Sequence, residues 1–458
     1  MRFLVWSALS AATLSLPLLA VLARPAAAQA AKSGEAFPFP VHEKTLPNGL
    51  RVFVVSYDSP GLVAYYSIVR TGSRNEVEAG KSGFAHFFEH MMFHGTDTFP
   101  QDKYNAEIKA MGADSNAFTS DDLTVYHILA GKAALPKIVE IESDRFQHLT
   151  YKEPEFQKEA RAVLGEYNKN ASNPIEKMTE VLYDNAFQAH TYKHTTMGFV
   201  KDIENMPNEM AYSRGFFDRY YRPENVVLLV VGDADPDATF ALVEKAYGGW
   251  KAGSARPKVP TEPVQTKEKR VALTWPSATL PMILAGYHVP AFSTTNVDLP
   301  ALDVLAELLF AERAPLYKRL VIKEQKAESI SGSADPHVDP NLFSILARVK
   351  KPEDVAYVEK VINEEIARVA KEGVDEKTLS EVLSHVKYGF AAQLSTADKS
   401  ATTAAMFVAL TGDLASINAY FALYDQVTPA DVKRVAQKYF AATNRTTVTL
   451  RTAKAAAK

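Results

Sequence analysis

The chain has 458 residues, of which 47% are hydrophobic and 23% are charged, a composition typical of globular proteins with more than one domain. The formal net charge of -3 and the lack of a long block of like charge do not indicate a nucleic-acid partner. The sequence contains 0 cysteines, which excludes disulfides and thiolate ligands, so any metal site must use His, Asp and Glu.

Residues 1–30 differ in kind from the rest of the chain. Arg2 precedes a mostly apolar run over residues 3–22, and small residues follow in ARPAAAQA. This pattern predicts an export signal cleaved after Ala28 or Ala30, a periplasmic location, and no stable membrane insertion after cleavage. The alternative is an uncleaved membrane anchor, against which the serines and the proline within the run argue.

The first half predicts an irregular alternation of strands and helices. An Asn-Gly turn feeds a strand in TLPNGLRVFVVS, and GLVAYYSIVRTGS predicts a second strand. The segment KSGFAHFFEHMMFHG is predicted as a helix with Ser82 as its cap and Gly95 as its stop. A helix in YNAEIKAMGA, a strand in SNAFTSDDLTVYHILA, three further helices and the buried strand NVVLLVVGDA follow.

The second half repeats this order loosely after a segment that resembles a linker. Residues 251–270 are rich in Pro and charge and poor in apolar residues. We therefore predict an α+β fold of two similar α/β-sandwich domains, each a mostly antiparallel sheet with helices packed on it. The predicted domains are residues 38–250 and residues 271–452, joined by the linker of residues 251–270.

The strongest chemical signal is His86-Phe87-Phe88-Glu89-His90. On a helix these polar positions share one face, which places two imidazoles and a carboxylate about one turn apart. A catalytic zinc needs three protein ligands, an open position for water and a nearby base, the role that suits Glu89. The alternative is a solvated or ion-paired face, but the surrounding Phe and Met residues predict a buried helix whose polar groups need partners.

A second helix carries Glu159 and Glu166 on one face of EARAVLGEYNKN. One of these carboxylates can complete a metal site, the alternative being a solvent-facing acidic stripe paired with neighbouring Lys and Arg. His94 lies at the end of the first helix, and His190 and His194 lie in a loop-like stretch. We leave these three histidines out of the predicted site.

GFAHFFEHMMFHGT followed by EARAVLGEY resembles the pitrilysin or insulinase family of inverted-motif zinc peptidases, which includes mitochondrial processing peptidase β subunits. The resemblance implies that His86, His90 and Glu166 hold one Zn²⁺ and that Glu159 supports the site from behind the ligands. It also implies a zinc-dependent endopeptidase in which Glu89 takes a proton from the attacking water.

The resemblance extends over about residues 40 to 450 and includes one departure. GADSNAFTSDDLTVYH resembles the family's edge strand, so Asn116 and Ala117 are the implied contacts of a peptide that adds as a β-strand. Further along, the family carries an Arg and a Tyr that grasp the substrate, where this chain has Val321 and Glu328. We therefore predict a heterodimer in which a homologous partner subunit supplies the Arg and the Tyr to peptide or unfolded substrates.

Three alternatives stay open. The missing contacts could come from elsewhere in a diverged chain. The protein could be a non-catalytic scaffold or assembly subunit, since the family includes core subunits of respiratory complexes. It could also be a solute-binding or zinc-storage protein, although storage does not require a carboxylate such as Glu89 between the ligands.

Overall fold

The computed structural model describes residues 35–253 and 256–453, so the predicted export signal lies outside the described residues. The strands are β1 (Val41–Thr45), β2 (Arg51–Ser56), β3 (Leu62–Val69), β4 (Asp114–Thr119), β5 (Thr124–Gly131), β6 (Val226–Gly232), β7 (Lys269–Trp275), β8 (Met282–Val289), β9 (Ala327–Ala334), β10 (Asn341–Val349) and β11 (Arg445–Thr452). The helices of the first half are α1 (Phe84–Met91), α2 (Gln101–Ala110), α3 (Leu135–His148), α4 (Glu153–Ala171), α5 (Pro174–Ala186), α6 (Val200–Asn205), α7 (Met210–Tyr220) and α8 (Pro236–Tyr247). Those of the second half are α9 (Asp298–Phe310), α10 (Pro315–Tyr317), α11 (Val355–Glu372), α12 (Glu376–Ala392), α13 (Ala397–Thr411), α14 (Ala415–Ala422) and α15 (Pro429–Tyr439).

The two sheets share one topology. The first has the strand order β1-β2-β6-β3-β5-β4 and the second has the order β7-β11-β8-β10-β9. Without β1 the two orders match strand for strand, and each sheet contains one parallel pair, β2 with β6 and β11 with β7. The other neighbouring pairs in these sheets are antiparallel. The predicted α+β fold of two similar domains is therefore confirmed.

Each domain lends a helix to the sheet of the other. Helix α5 lies on β8 and β11 of the second sheet, and α13 lies on β3 and β6 of the first. Met178 and Leu182 of α5 are buried with Met282 and Leu284 of the second sheet in one apolar cluster. Separating the domains would expose these faces to water, at a cost of about 25 cal/mol for each Å² of apolar surface. The exchange therefore holds the two halves together.

No single helix in the described part of the chain is both long and apolar enough to cross a membrane. A helix pair bent by 86°, Ala397–Thr411 with Ala415–Gln426, passes by length and composition only. The first helix of this pair is α13, which lies against the first sheet inside the protein.

Two local predictions were wrong. SNAFTSDDLTVYHILA forms the hairpin β4–β5 rather than one strand, because residues 120–123 close a turn in which Ser120 N–H donates to Leu123 O at 2.8 Å. Ser82 does not cap α1, since its hydroxyl donates to Asp202 at 2.6 Å and Gly83 is the residue that precedes the helix. The first error concerns a local turn within a polar segment, and the second concerns a serine whose partner lies 120 positions away in the chain.

The turn of β4–β5 touches the equivalent loop of the second domain, residues 335–340 between β9 and β10. We call this contact between residues 120–123 and 335–340 the interdomain clasp. His337 lies at its centre, with Nε2 at 3.2 Å from Asp121 Oδ2 and Nδ1 at 2.8 Å from the carbonyl oxygen of Asp335. Because both ring nitrogens face oxygen acceptors, both carry protons and the imidazole is a cation.

We expect the free energy of unfolding to depend on this cation. Burial acts to lower the pKa of His337, but Asp121, Asp122 and Asp335 outweigh it and raise that pKa from 6.5 to about 9. Its stabilising contribution is therefore complete below pH 6.5 and is lost as the pH rises through about 9. Urea unfolding of His337→Gln, which keeps a donor but cannot titrate, should show a shallower decline over this range than wild type. Parallel pH dependences would contradict the expectation.

Candidate metal centre

Helix α1 is buried between the first sheet and a layer of helices. It contacts β4 and β5 on one side and α4 and α7 on others. Its phenylalanine and methionine side chains pack into the core of the first domain. This packing fixes the rotation of the helix about its own axis and turns its polar residues toward α4 and β4. The position of the site therefore follows from the apolar pattern of α1.

Glu76 holds the N-terminus of α1. Its two carboxylate oxygens accept hydrogen bonds from the backbone N–H groups of Gly83 and Ala85, each at 2.7 Å. Gly83 has a φ of 90°, a left-handed conformation that favours glycine. Burial raises the pKa of the Glu76 carboxyl to about 8, and the hydrogen bonds from the helix N-terminus oppose this rise. No sequence pattern pointed to Glu76, because a loop of irregular path brings it back to the helix.

His86, His90 and Glu166 converge. One ligand atom from each residue lies within 4.8 Å of the other two, and the described residues contain no second group of this kind. Glu166 Oε2 lies 3.4 Å from His90 Nε2 and 3.7 Å from His86 Nε2. Ligands of a tetrahedral zinc at about 2.0–2.1 Å from the metal stand about 3.3 Å apart, so this spacing fits the ion.

Glu159 lies behind the cluster and contacts two histidines. Its Oε1 lies 2.8 Å from His90 Nδ1 and its Oε2 lies 3.0 Å from His94 Nε2. A proton on His90 Nδ1 leaves the lone pair of Nε2 free for a metal. His94 is therefore bound to Glu159 and is not in the cluster. The buried Nδ1 of His86 has no hydrogen-bond partner within the described ranges.

The cluster has the charge balance of a cation site. Burial and the neighbouring His90 lower the pKa of His86 to about 4, which leaves a neutral imidazole at neutral pH. Burial also acts to lower the pKa of His90, but hydrogen bonds with Glu159 and Glu166 outweigh it and raise that pKa to about 10. The hydrogen bond with His90 lowers the pKa of both glutamates. A metal ion would displace the proton on His90 Nε2, which faces Glu166, and leave the proton on Nδ1 that faces Glu159.

Glu89 lies beside the cluster and is held by Thr119. The Thr119 hydroxyl donates to Glu89 Oε2 at 2.6 Å. Burial raises the pKa of the Glu89 carboxyl, and the hydrogen bond from Thr119 opposes this rise. A carboxylate with a raised pKa is suited to proton transfer near neutral pH. Sequence reasoning missed Thr119, although it lies in the quoted segment SNAFTS.

Asn116 and Ala117 lie on β4, the outer strand of the first sheet. An outer strand has one unpaired edge to which an extended peptide can add. The side chain of Asn116 is exposed, and its Oδ1 accepts the backbone N–H of Ala117 at 2.9 Å. Both residues precede Thr119 on the same short strand, so the edge runs toward Glu89.

Four other residues that the sequence motifs brought into question do not belong to the cluster. His190 Nε2 lies 3.0 Å from Asp339, and His194 Nδ1 lies 3.0 Å from the carbonyl oxygen of Thr195. Val321 lies in a π-helical segment, Lys318–Lys323, and packs against the second domain's core. Glu328 lies on β9 with its carboxylate 2.9 Å from Arg348.

Comparisons with known proteins agree with this arrangement. Residues 53–199 match the profile described as insulinase (peptidase family M16), and residues 212–385 match the peptidase M16 inactive domain. Zinc protease PqqE of Helicobacter pylori is 30% identical over 422 residues, which cover 90% of this chain and 93% of that protein. Mitochondrial-processing peptidase subunit beta of Caenorhabditis elegans is 28% identical over 267 residues, 58% of this chain and 56% of that protein. The crystal structure of a protease from Helicobacter pylori has a TM-score of 0.85 at 29% identity and covers 90% of this chain and 100% of that chain.

Fold and site together define a two-domain α+β protein with a His-His-Glu cluster in its first domain only, within the described residues. The chain belongs to the insulinase family of peptidases, family M16, as the motifs predicted. Relatives in this family are named zinc proteases, which implies zinc as the metal. The family also includes a domain described as inactive, so membership alone does not establish activity.

We expect Glu159→Gln to weaken zinc binding by about tenfold to a hundredfold, because the glutamine no longer fixes the protonated Nδ1 of His90. The variant should fold normally, since the two side chains have nearly the same shape. Competition with a chelator measures the affinity, and Glu153→Gln, an exposed position on the same helix, is the matched control. Equal affinities for wild type and Glu159→Gln would contradict the orienting role of Glu159.

Proposed function

We propose that the chain is the zinc-bearing subunit of an endopeptidase that hydrolyses peptides or unfolded polypeptides. The observation that carries the proposal is the convergence of His86, His90 and Glu166. The carboxylate of Glu89 lies on α1, the helix that carries the two histidines. A zinc ion held there would supply a Lewis acid that polarises a carbonyl and lowers the pKa of water. One cluster in the described part of the chain supports one zinc per chain.

Glu89 is the general base in this proposal. Thr119 occupies its Oε2, which leaves Oε1 to accept a proton from the attacking water. The raised pKa allows the carboxyl to hold that proton and then to donate it to the leaving amine. A substrate that extends the sheet beside Asn116 and Ala117 runs along the strand that ends at Thr119, and so passes close to Glu89.

We expect Glu89→Gln to abolish peptide cleavage while the protein keeps its zinc. Removal of a general base lowers the rate by about 10²–10⁴-fold, and glutamine still accepts the hydrogen bond from Thr119. Cleavage of a quenched peptide and a direct count of bound zinc test this, with Glu140→Gln on the surface of α3 as the matched control. Equal cleavage by wild type and Glu89→Gln would reject the catalytic assignment.

A homologous partner subunit is part of the proposal. Val321 and Glu328 stand where the family resemblance implies an Arg and a Tyr, and neither side chain can stabilise a negative charge on a carbonyl oxygen. The relative from Caenorhabditis elegans is itself named as a subunit. A second chain that carries the Arg and the Tyr would complete the site as a heterodimer.

We expect the isolated chain to bind zinc and to cleave peptides slowly, and the homologous partner to raise kcat. The reason is that the zinc ligands and Glu89 all lie in this chain, whereas the Arg and the Tyr do not. Peptide cleavage is measured for each chain alone and for the mixture. Full activity of the isolated chain would contradict the need for a partner.

A periplasmic location completes the proposal. The apolar run at residues 3–22 and the small residues after it support export, and mass spectrometry of the mature N-terminus tests cleavage after Ala28 or Ala30.

The second candidate function is a non-catalytic assembly subunit. It is favoured by the absence of the Arg and the Tyr and by the match of residues 212–385 to an inactive domain. Bound zinc without turnover in any pairing would favour it over the peptidase.

A further inference from the structure

The interdomain clasp lies at the end of β4, the strand next to the candidate metal centre. Thr119, which donates to Glu89, is the last residue of β4, and the turn of residues 120–123 follows it directly. The same strand carries Asn116 and Ala117. A displacement of the turn would therefore move both the hydroxyl that holds the base and the edge available to a peptide.

The first domain holds this turn from one side. Arg74 N–H donates to the carbonyl oxygen of Asp121 at 2.9 Å, and the Ser73 hydroxyl donates to Asp121 Oδ1 at 3.0 Å. Gly72 packs so closely that a Cβ on it would stand 2.1 Å from the carbonyl oxygen of Ser120. These contacts fix the base of the turn but leave the second carboxylate oxygen of Asp121 to face the other domain.

The second domain holds the turn from the other side through residues 337 and 338. His337 Nε2 donates to Asp121 Oδ2 at 3.2 Å, and Val338 N–H donates to Asp122 Oδ2 at 3.1 Å. The side chain of Asp122 is buried, with 5% exposed, so this contact is shielded from water. Charge-assisted hydrogen bonds of this kind are roughly twice as strong as neutral ones.

Tyr192 and Asp339 extend the clasp. The Tyr192 hydroxyl donates to Asp122 Oδ1 at 2.7 Å and accepts the backbone N–H of Asp339 at 3.3 Å. The carboxylate of Asp339 lies 2.5 Å from Arg74 Nε and 3.0 Å from His190 Nε2. The loop of the second domain is thus also bound to residues of the first domain outside the turn.

We propose that the second, metal-free domain positions the catalytic base and the substrate edge by holding the β4–β5 turn through His337 and Val338. The inference rests on the proposed peptidase function and gives the second domain a role in it. His337 is a positioning residue, since it acts on Glu89 only through Asp121 and Thr119. An outer strand is paired on one side only, and support at its end opposes local opening.

Hydrogen exchange of the full chain tests the mechanical part of this proposal. We expect amides of residues 114–124 to exchange about fivefold faster in His337→Ala than in wild type, because one charged hydrogen bond is lost. The matched control is His385→Ala, which removes a histidine on α12 that is 56% exposed and lies far in sequence from the clasp. Unchanged exchange in residues 114–124 would overturn the proposal.

Kinetics with the partner present test the functional part. We expect His337→Ala to keep its zinc, to lower kcat by about tenfold and to raise KM, and we expect His337→Gln, which restores a donor to Asp121, to recover most of kcat. Thr119→Ala should lower kcat with little change in KM, because it removes the contact to the base and leaves the backbone edge in place. A contact that only stabilises the fold would lower the unfolding temperature and leave kcat unchanged in the folded variant.

The outcomes separate this inference from the proposed function. Faster exchange with unchanged kcat and KM would overturn the positioning role. If wild type and Glu89→Gln show no cleavage in any pairing, the peptidase proposal fails. The exchange rates still decide in that case whether the second domain holds Thr119 in place.

Discussion

The site depends on the burial of the polar face of α1. This helix has eight residues, and its apolar side chains lock it against the first sheet. Burial of imidazoles and carboxylates is costly without partners, and the polar groups of α1 find theirs on other segments, except His86 Nδ1, which has none among the described residues. Glu76 satisfies the N-terminus, α4 supplies Glu159 and Glu166, and β4 supplies Thr119. The geometry of the centre is set by where these partners can approach.

Charge distribution divides the roles of similar side chains. The two histidines of the cluster are one turn apart, yet burial keeps His86 neutral while Glu159 and Glu166 favour a proton on His90. The glutamates divide in the same way, since hydrogen bonds from His90 favour ionised Glu159 and Glu166, whereas burial raises the pKa of Glu89. Different surroundings thus favour ionised Glu159 and Glu166, of which we propose Glu166 as a metal ligand, and suit Glu89 to accept a proton, as we propose.

The two domains share one topology, although the His-His-Glu cluster of the described residues lies in the first domain only. In the second domain, α9 follows β8, the second strand of that domain along the chain. The sequence of α9, DLPALDVLAELLF, contains no histidine. The topology is kept because it requires only strand pairing and buried apolar faces, and the exchange of α5 and α13 makes each core depend on the other domain. The two β-hairpins that meet in the interdomain clasp are equivalent elements of the two sheets.

The sequence by itself determined the features that follow from local geometry. Helical periodicity placed His86, Glu89 and His90 on one face and Glu159 with Glu166 on another, and alternating apolar runs indicated two similar α+β halves. The family resemblance added that Glu166 of α4 meets the two histidines of α1. Only the tertiary structure decided that the segment after α2 folds back as a hairpin and that Glu76, Thr119 and His337 support the site. The contact of His337 joins segments 216 positions apart, and Glu76 returns to its helix through an irregular loop, whose path no short-range pattern records.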